Sequence, residues 1–219
     1  MQILIFANGI IEEVEWIRPY LTPNNYIIAA NGGSRHLHRL ETLPNLLIGD
    51  LDSISTPIRQ WLDTGDTSII GHRPAKNETD LELALLHAVQ KFPAAPVLLF
   101  GMVGGRLDQT LANILLLTHP ALRGHSIRIM RQEEEAWLIT DDAVIRGDTG
   151  DTVSLIPLGG DAHIRTTTGL QWPLQDEPLL FGPARGISNT LTADTARITI
   201  ESGLLLCVHR KQNGRHPAA

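Results

Sequence analysis

A chain of 219 residues, 42% hydrophobic and 19% charged, has the composition of an ordinary soluble globular protein, room for one large or two small domains, and too much apolar content for a disordered chain. Its formal charge of −6, with no basic run, argues against a general affinity for nucleic-acid phosphates or anionic membranes. There is no basic leader and no stretch of about 18 apolar residues, and the single cysteine, Cys207, excludes an intramolecular disulfide and a Cys-based zinc site. A cytoplasmic protein with no nucleic-acid or membrane partner is expected.

In chain order, QILIFANG, YIIAANGG, NLLIGDLDS, TSIIGH, PVLLFGMVGG and SIRIMR read as strands. Most are apolar throughout, as expected where both faces of a sheet are covered. Between them, TDLELALLHAVQKF repeats apolar residues at Leu81, Ala84, Leu85, Ala88 and Val89, one buried helical face. RLDQTLANILLL repeats the pattern through Leu107, Leu111, Ile114 and Leu115. This alternation predicts an α/β domain with a largely parallel sheet over residues 1–140, with ligands at the carboxyl ends of its strands. Residues 141–212 change texture: VSLIPLG, HIRTTTGLQWPL, RITIES and LLLCVHR are strand candidates separated by Gly, Pro and Asp, predicting an all-β, sandwich-like domain. RITIESGLLLCVHR reads as a hairpin turning at Glu201-Ser202-Gly203, Cys207 as a small hydrophobe in its second strand, and the tail 213–219 as disordered.

The strand ends carry the candidate chemistry. In LLIGDLDSI, extended backbone would point Asp50 and Asp52 to one side and Leu51 to the other. Two like charges so close call for a cation or several donors, and Mg²⁺ prefers such oxygens together with substrate phosphates. Alternatively, the acids belong to a turn ahead of the helix opened by Thr56-Pro57. Asp80 follows Thr79 and precedes Glu82, a capping-box pattern in which an acid also suits the helix dipole. In GMVGGRLDQTLAN, Gly101, Gly104 and Gly105 lead from a strand into a helix beside Arg106, which reads either as an anion site or as a tight turn. No Walker A pattern, GxGxxG, HExxH or nucleophile elbow occurs, so an ATP user must cradle phosphates by other means.

In their order and spacing, AANGGSRHL, LIGDLDSI, KNETDLELAL, GMVGGRLDQTLANI, SLIPLGGDAHIRTTTGLQWPL and GISNTL resemble the thiamine pyrophosphokinase family. The resemblance implies transfer of the pyrophosphoryl group of ATP to the thiamine hydroxyl, giving thiamine diphosphate and AMP. It implies an N-terminal α/β catalytic domain, a C-terminal β-sandwich, and a homodimer with active sites between the α/β domain of one subunit and the β domain of the other. Carried over by position, it implies Mg²⁺ ligands at Asp50, Asp52 and Asp80, and ATP contacts at Asn31, Gly32, Gly33, Lys76, Asn77, Gly104, Gly105 and Arg106. Thiamine contacts fall at Asp108, Gln109, Trp172, Ser188 and Asn189, with Asp80 or Asp108 as candidate base. Trp172 reads equally as filler of the sandwich core or as an aromatic face for a flat cation. Two positions depart from the family pattern: Asn31 and Asn77 stand where a carboxylate is common. Asn31 would then offer its amide oxygen as a neutral ligand and its NH₂ to a phosphate oxygen. Two other readings are a pyrophosphokinase for another hydroxymethylated heterocycle, such as a pterin, and a catalytically silent thiamine- or nucleotide-binding protein.

Overall fold

Six apolar segments near the start of the chain form a parallel sheet in the computed structural model, which describes residues 1–51, 54–72 and 77–212. The chain divides into two compact units, Met1–Met130 and a second that begins at Arg131. The first unit holds β1 (Ile3–Phe6), β2 (Tyr26–Ala30), α1 (Ser34–Arg39), β3 (Leu46–Gly49), α2 (Thr56–Leu62), β4 (Ser68–Gly71), α3 (Asp80–Lys91), β5 (Val97–Phe100), α4 (Leu107–Leu116) and β6 (Ile127–Met130). Its strands run in the order β6-β5-β1-β2-β3-β4, with every neighbouring pair parallel.

The apolar runs of β1, β2, β3 and β5 are explained by burial on both faces, whereas edge strand β4 is largely exposed. Leu4 and Phe6 join a core with Ala29, Leu47, Leu98 and Phe100, while Ile3 and Ile5, projecting oppositely, are equally buried. Helix α3 connects edge strand β4 to β5 beside the central strand, so it must cross back over the sheet, and it packs on β1, β2 and β3. It buries the five residues that its period selected, Leu81, Ala84, Leu85, Ala88 and Val89. Helix α4 departs from expectation: it has no buried residue, and Leu107, Leu111 and Leu115 are exposed. Its period marks an apolar stripe, but the first unit does not cover that stripe.

The second unit holds β7 (Glu134–Ile139), β8 (Ala143–Arg146), β9 (Thr152–Pro157), β10 (Ala162–Thr168), β11 (Gln175–Leu179), β12 (Asn189–Thr190), β13 (Thr195–Ser202) and β14 (Leu205–Arg210). They pair antiparallel as β12-β9-β14-β7 and β11-β10-β13-β8. Residues of both sets, among them Val153, Leu155, Ile164, Ile198 and Cys207, share one core, a sandwich-like arrangement. The expected hairpin is not one: β13 pairs with β10 and β8, whereas β14 pairs with β7 and β9. Both strands carry apolar residues for the same core, which they reach from opposite layers, and Gly203 (φ 94°) makes the handover. Among the described residues no helix is long and apolar enough to cross a membrane. Residues 213–219, where a disordered tail was expected, lie outside the described residues.

Gly33 shows how tightly the strand exits are packed. A Cβ added there would lie 1.9 Å from the Phe6 carbonyl oxygen, a backbone atom that cannot turn aside. Gly33→Ala is therefore expected to cost about 1–3 kcal/mol or more, as overpacking does, and to lower the Tm by about 2–4 °C per kcal/mol. A thermal melt within about 1 °C of the parent would refute this packing assignment.

Candidate functional site

Parallel strands send all their exits to one edge of the sheet, and the candidate residues of the first unit collect there. Asn31 follows β2 in a single 3-10 turn, Asp50 follows β3, and Asp80 opens α3. Because α3 crosses back over β2 and β3, its first residue arrives beside the exits of those strands. Asn31, only 6% exposed, donates from Nδ2 to Asp50 Oδ1 (2.7 Å) and to Asp80 Oδ2 (2.9 Å). Three distant segments thus meet on one amide nitrogen. Thr79 caps α3 as its pattern predicts, accepting from Glu82 N at 3.1 Å.

The turn after β3 differs from the extended geometry used to pair Asp50 with Asp52. The strand ends at Gly49, and Leu51 has φ 67°, a left-handed conformation that a leucine rarely adopts and that accompanies functional turns. The alternation argument therefore stops at Gly49, and among the described residues Asp80 shares the Asn31 amide with Asp50. Asp52 and Lys76 lie outside the described residues. Asn77 is exposed just ahead of α3. Gly32 and Gly33 are buried, and a Cβ on Gly32 would meet the Asn8 side chain at 2.6 Å, so both glycines permit close packing.

At the exit of β5, Gly101, Gly104 and Gly105 have φ of 66°, 93° and 81°, a left-handed path natural only to glycine. Arg106 turns to Asp108, with its Nε 3.1 Å from Oδ1. This hydrogen bond holds the Asp108 carboxyl below its usual range and raises the Arg106 guanidinium. Both side chains are exposed, so solvent screens the pair and Arg106 remains exchangeable toward an incoming anion. Gln109 is exposed, whereas Asn113 donates to the Met102 carbonyl at 2.8 Å and braces the glycine loop.

Sequence reasoning missed the loop after β1. Arg35 donates to the carbonyls of Asn8 and Gly9, Arg39 to those of Ile11 and Glu12, and Gly9 N donates to Gly101 O at 2.7 Å. The buried His36 ring bonds the Gly9 carbonyl through Nε2 at 2.9 Å. A cleft of about 310 Å³ opens beside this loop, lined by Ile10, Ile11, Ile58 and His36 among others. No motif announces these contacts; the only sequence signal is ANG at a strand end.

In the second unit, Trp172 is 57% exposed, which removes the core-filling reading. Its backbone is held by the buried Asn189, whose Oδ1 accepts from Trp172 N (3.0 Å) and whose Nδ2 donates to Trp172 O (2.7 Å). Ser188, exposed with φ 57°, donates its N–H to Ser154 Oγ at 3.0 Å. Asn189 is thus a brace for the tryptophan. Elsewhere on this unit His163, Asp176 and Glu201 bring ligand-type atoms within 4.8 Å of one another, although Glu201 already engages His163 Nδ1 at 2.8 Å.

Comparison with known proteins gives a consistent result. A family model described as thiamin pyrophosphokinase, catalytic domain, matches residues 17–130, and one described as thiamin pyrophosphokinase, vitamin B1 binding domain, matches residues 125–205. A thiamine pyrophosphokinase of Bacillus subtilis is 26% identical over 206 residues, 93% of this chain and 96% of the relative. The crystal structure of the thiamine pyrophosphokinase from Bacillus subtilis aligns with a TM-score of 0.87 at 26% identity, covering 97% of this chain and 100% of the other. The structure from Geobacillus thermodenitrificans aligns at 0.84 and 26% identity, covering 97% and 98%.

Burial pushes the His36 imidazole down to about 4, and the nearby Arg35 and Arg39 charges act in the same direction, against the bond to Gly9. Between that value and the ordinary 6.5 the unfolded chain holds more protons than the folded one. The stability contributed by the neutral ring is therefore full above about pH 6.5 and declines as pH falls toward 4, by at most about 3 kcal/mol. Denaturant titrations from pH 7 to 4 are expected to show this slope, and His36→Gln to flatten it; equal slopes would place the acid sensitivity elsewhere.

Proposed function

The chain belongs to the thiamine pyrophosphokinase family, and from that premise we propose that it transfers the pyrophosphoryl group of ATP to the hydroxyl of thiamine, giving thiamine diphosphate and AMP in the cytoplasm. The observation that carries this reading is the convergence of Asp50 and Asp80 on the Asn31 amide at the carboxyl ends of the strands. An all-oxygen carboxylate set suits a hard divalent cation that also takes phosphate oxygens, so these residues fit Mg²⁺. Asp50, Asp52 and Asp80 would hold it, and it would neutralise charge on the β,γ-phosphates.

The thiamine oxygen attacks the β-phosphorus in line; the O–Pβ bond forms, the bond to the α,β-bridging oxygen breaks, and AMP leaves. Transfers through loose transition states need mainly positioning and charge neutralisation. Arg106, released from its screened pair with Asp108, and Lys76 supply positive charge, and the N–H groups of the Gly32-Gly33 and Gly104-Gly105 turns supply donors. Asp80 or Asp108 takes the hydroxyl proton. Trp172 offers its face to the thiamine cation, with Gln109, Ser188 and Asn189 nearby in role. The match to a vitamin B1 binding domain favours thiamine over a pterin-like substrate. Supporting a homodimer, the exposed Leu107, Leu111 and Leu115 stripe of α4 is an apolar face suited to a second copy. The direct test follows AMP and thiamine diphosphate from ATP and thiamine with Mg²⁺, a hydroxymethylpterin serving as competing substrate. Product with the pterin alone would overturn the assignment, and binding without AMP release would favour a silent binding protein.

Two substitutions probe the two units separately. Asp50→Ala is expected to fold with normal thermal stability and to lose at least about a hundredfold in kcat, as removal of electrostatic stabilisation does; near-parental turnover would exclude Asp50 from the site. Trp172→Ala is expected to raise the KM for thiamine about two- to thirtyfold and to leave that for ATP alone. If both KM values stay put, the tryptophan does not meet thiamine.

A further inference from the structure

Asp50 and Asp80 reach Asn31 from opposite ends of a 30-residue separation in sequence, yet each places an oxygen within hydrogen-bond range of the same nitrogen, at 2.7 and 2.9 Å. An asparagine NH₂ has two protons to give, and both carboxylates lie within reach of them. The side chain has little freedom to do otherwise. Asn31 sits at φ 44°, a region that asparagine tolerates better than most residues, and its carbonyl accepts from Ser34 Oγ at 3.0 Å. Gly49 presses on it, since a Cβ there would lie 2.7 Å from the Asn31 Cβ. The sequence-based expectation gave the NH₂ to a phosphate oxygen; the structure spends it on carboxylates.

We propose that Asn31 is a positioning residue that takes the part of a resident cation, holding the Asp50 and Asp80 carboxylates together so that the acidic site is assembled before nucleotide delivers its metal. The inference rests on the reading of this cluster as the metal–nucleotide site. A neutral amide satisfies both acids without adding charge, and it costs no ion to keep the site folded. An aspartate in its place would exchange the donor that Asp50 and Asp80 share for a third carboxylate, an arrangement that a bound cation favours.

Thermal melts of the parent, Asn31→Asp and Asn31→Ala, each in EDTA and in millimolar Mg²⁺ without nucleotide, test this. The parent Tm should move by less than about 1 °C with Mg²⁺, whereas Asn31→Asp should melt at least about 4 °C lower in EDTA and recover most of the loss with Mg²⁺. Asn31→Ala should show the same dependence to a smaller degree. A substitution that merely loosened packing would fall equally in both buffers, and that result would overturn the proposal. So would a parent that Mg²⁺ alone stabilises strongly, a measurement that stands even if neither variant folds. Thiamine diphosphate formation by the parent is read separately. Product with a metal-insensitive Asn31→Asp sinks the clamp alone, and a metal-dependent Asn31→Asp without product from the parent sinks only the functional reading.

Discussion

The backbone of Gly33 lies against the carbonyl of Phe6 with no space for a side chain between them. That approach brings the turn after β2 down onto the exit of the central strand, and everything functional in the first unit is placed relative to it. Gly9 meets Gly101 in the same way, since a Cβ there would lie 2.3 Å from the Gly101 carbonyl oxygen. The exits of β1, β2 and β5 therefore share one packed hub, and Arg35, Arg39 and His36 tie the β1 loop into it. Backbone atoms in contact do not yield as side-chain ends do. The edge that carries the candidate site is consequently stiff at its base, which suits the proposed reaction, one that depends on positioning more than on covalent chemistry.

What the sequence revealed and what it hid divide along physical lines. Apolar runs revealed β1, β2, β3 and β5 because burial on both faces leaves a direct compositional trace, whereas edge strand β4 is largely exposed. Leu81, Ala84, Leu85, Ala88 and Val89 revealed the buried face of α3 for the same reason. Leu107, Leu111 and Leu115 have the same spacing and stand exposed, because periodicity records that a helix has an apolar face and says nothing about what lies over it. The supposed β13–β14 hairpin fails similarly: two strands joined by a short glycine turn look alike whether they pair with each other or cross between layers. At the site, the motifs selected Asn31, Asp50 and Asp80 separately. The family resemblance set them in one site, but the bonds from the Asn31 amide to both acids were illegible, because they depend on the path of α3 across the sheet, a long-range consequence of strand order. Strand alternation reaches only to Gly49, since Leu51 is left-handed, and Asp52 lies outside the described residues.

The two ways this unit treats charge are instructive. Arg106 and Asp108 are paired at the surface, where water screens the attraction and the partners can be exchanged. Asp50 and Asp80 are partly buried, where a like-charged pair is more costly and needs a donor fixed in place. The first arrangement leaves a cation available for an arriving polyanion; the second keeps an acidic pocket from collapsing or repelling itself open. Both arrangements suit the proposed binding of a metal–nucleotide complex, whose cation and phosphates make opposite demands within a few ångströms.

The same device recurs in the second unit. Asn189 is buried and uses both ends of its amide on the backbone of Trp172, as Asn31 uses its NH₂ on two acids. A carboxylate at position 189 would lack the donor for the Trp172 carbonyl, and a lysine or arginine would lack the acceptor for its N–H. An amide is an uncharged side-chain group that both gives and receives in one plane from adjacent atoms. Holding a functional group by its backbone with a neutral partner fixes its direction without biasing the charge of the ligand it meets. On this argument the two asparagines are a matched pair, each setting the geometry of a neighbouring group with a neutral amide.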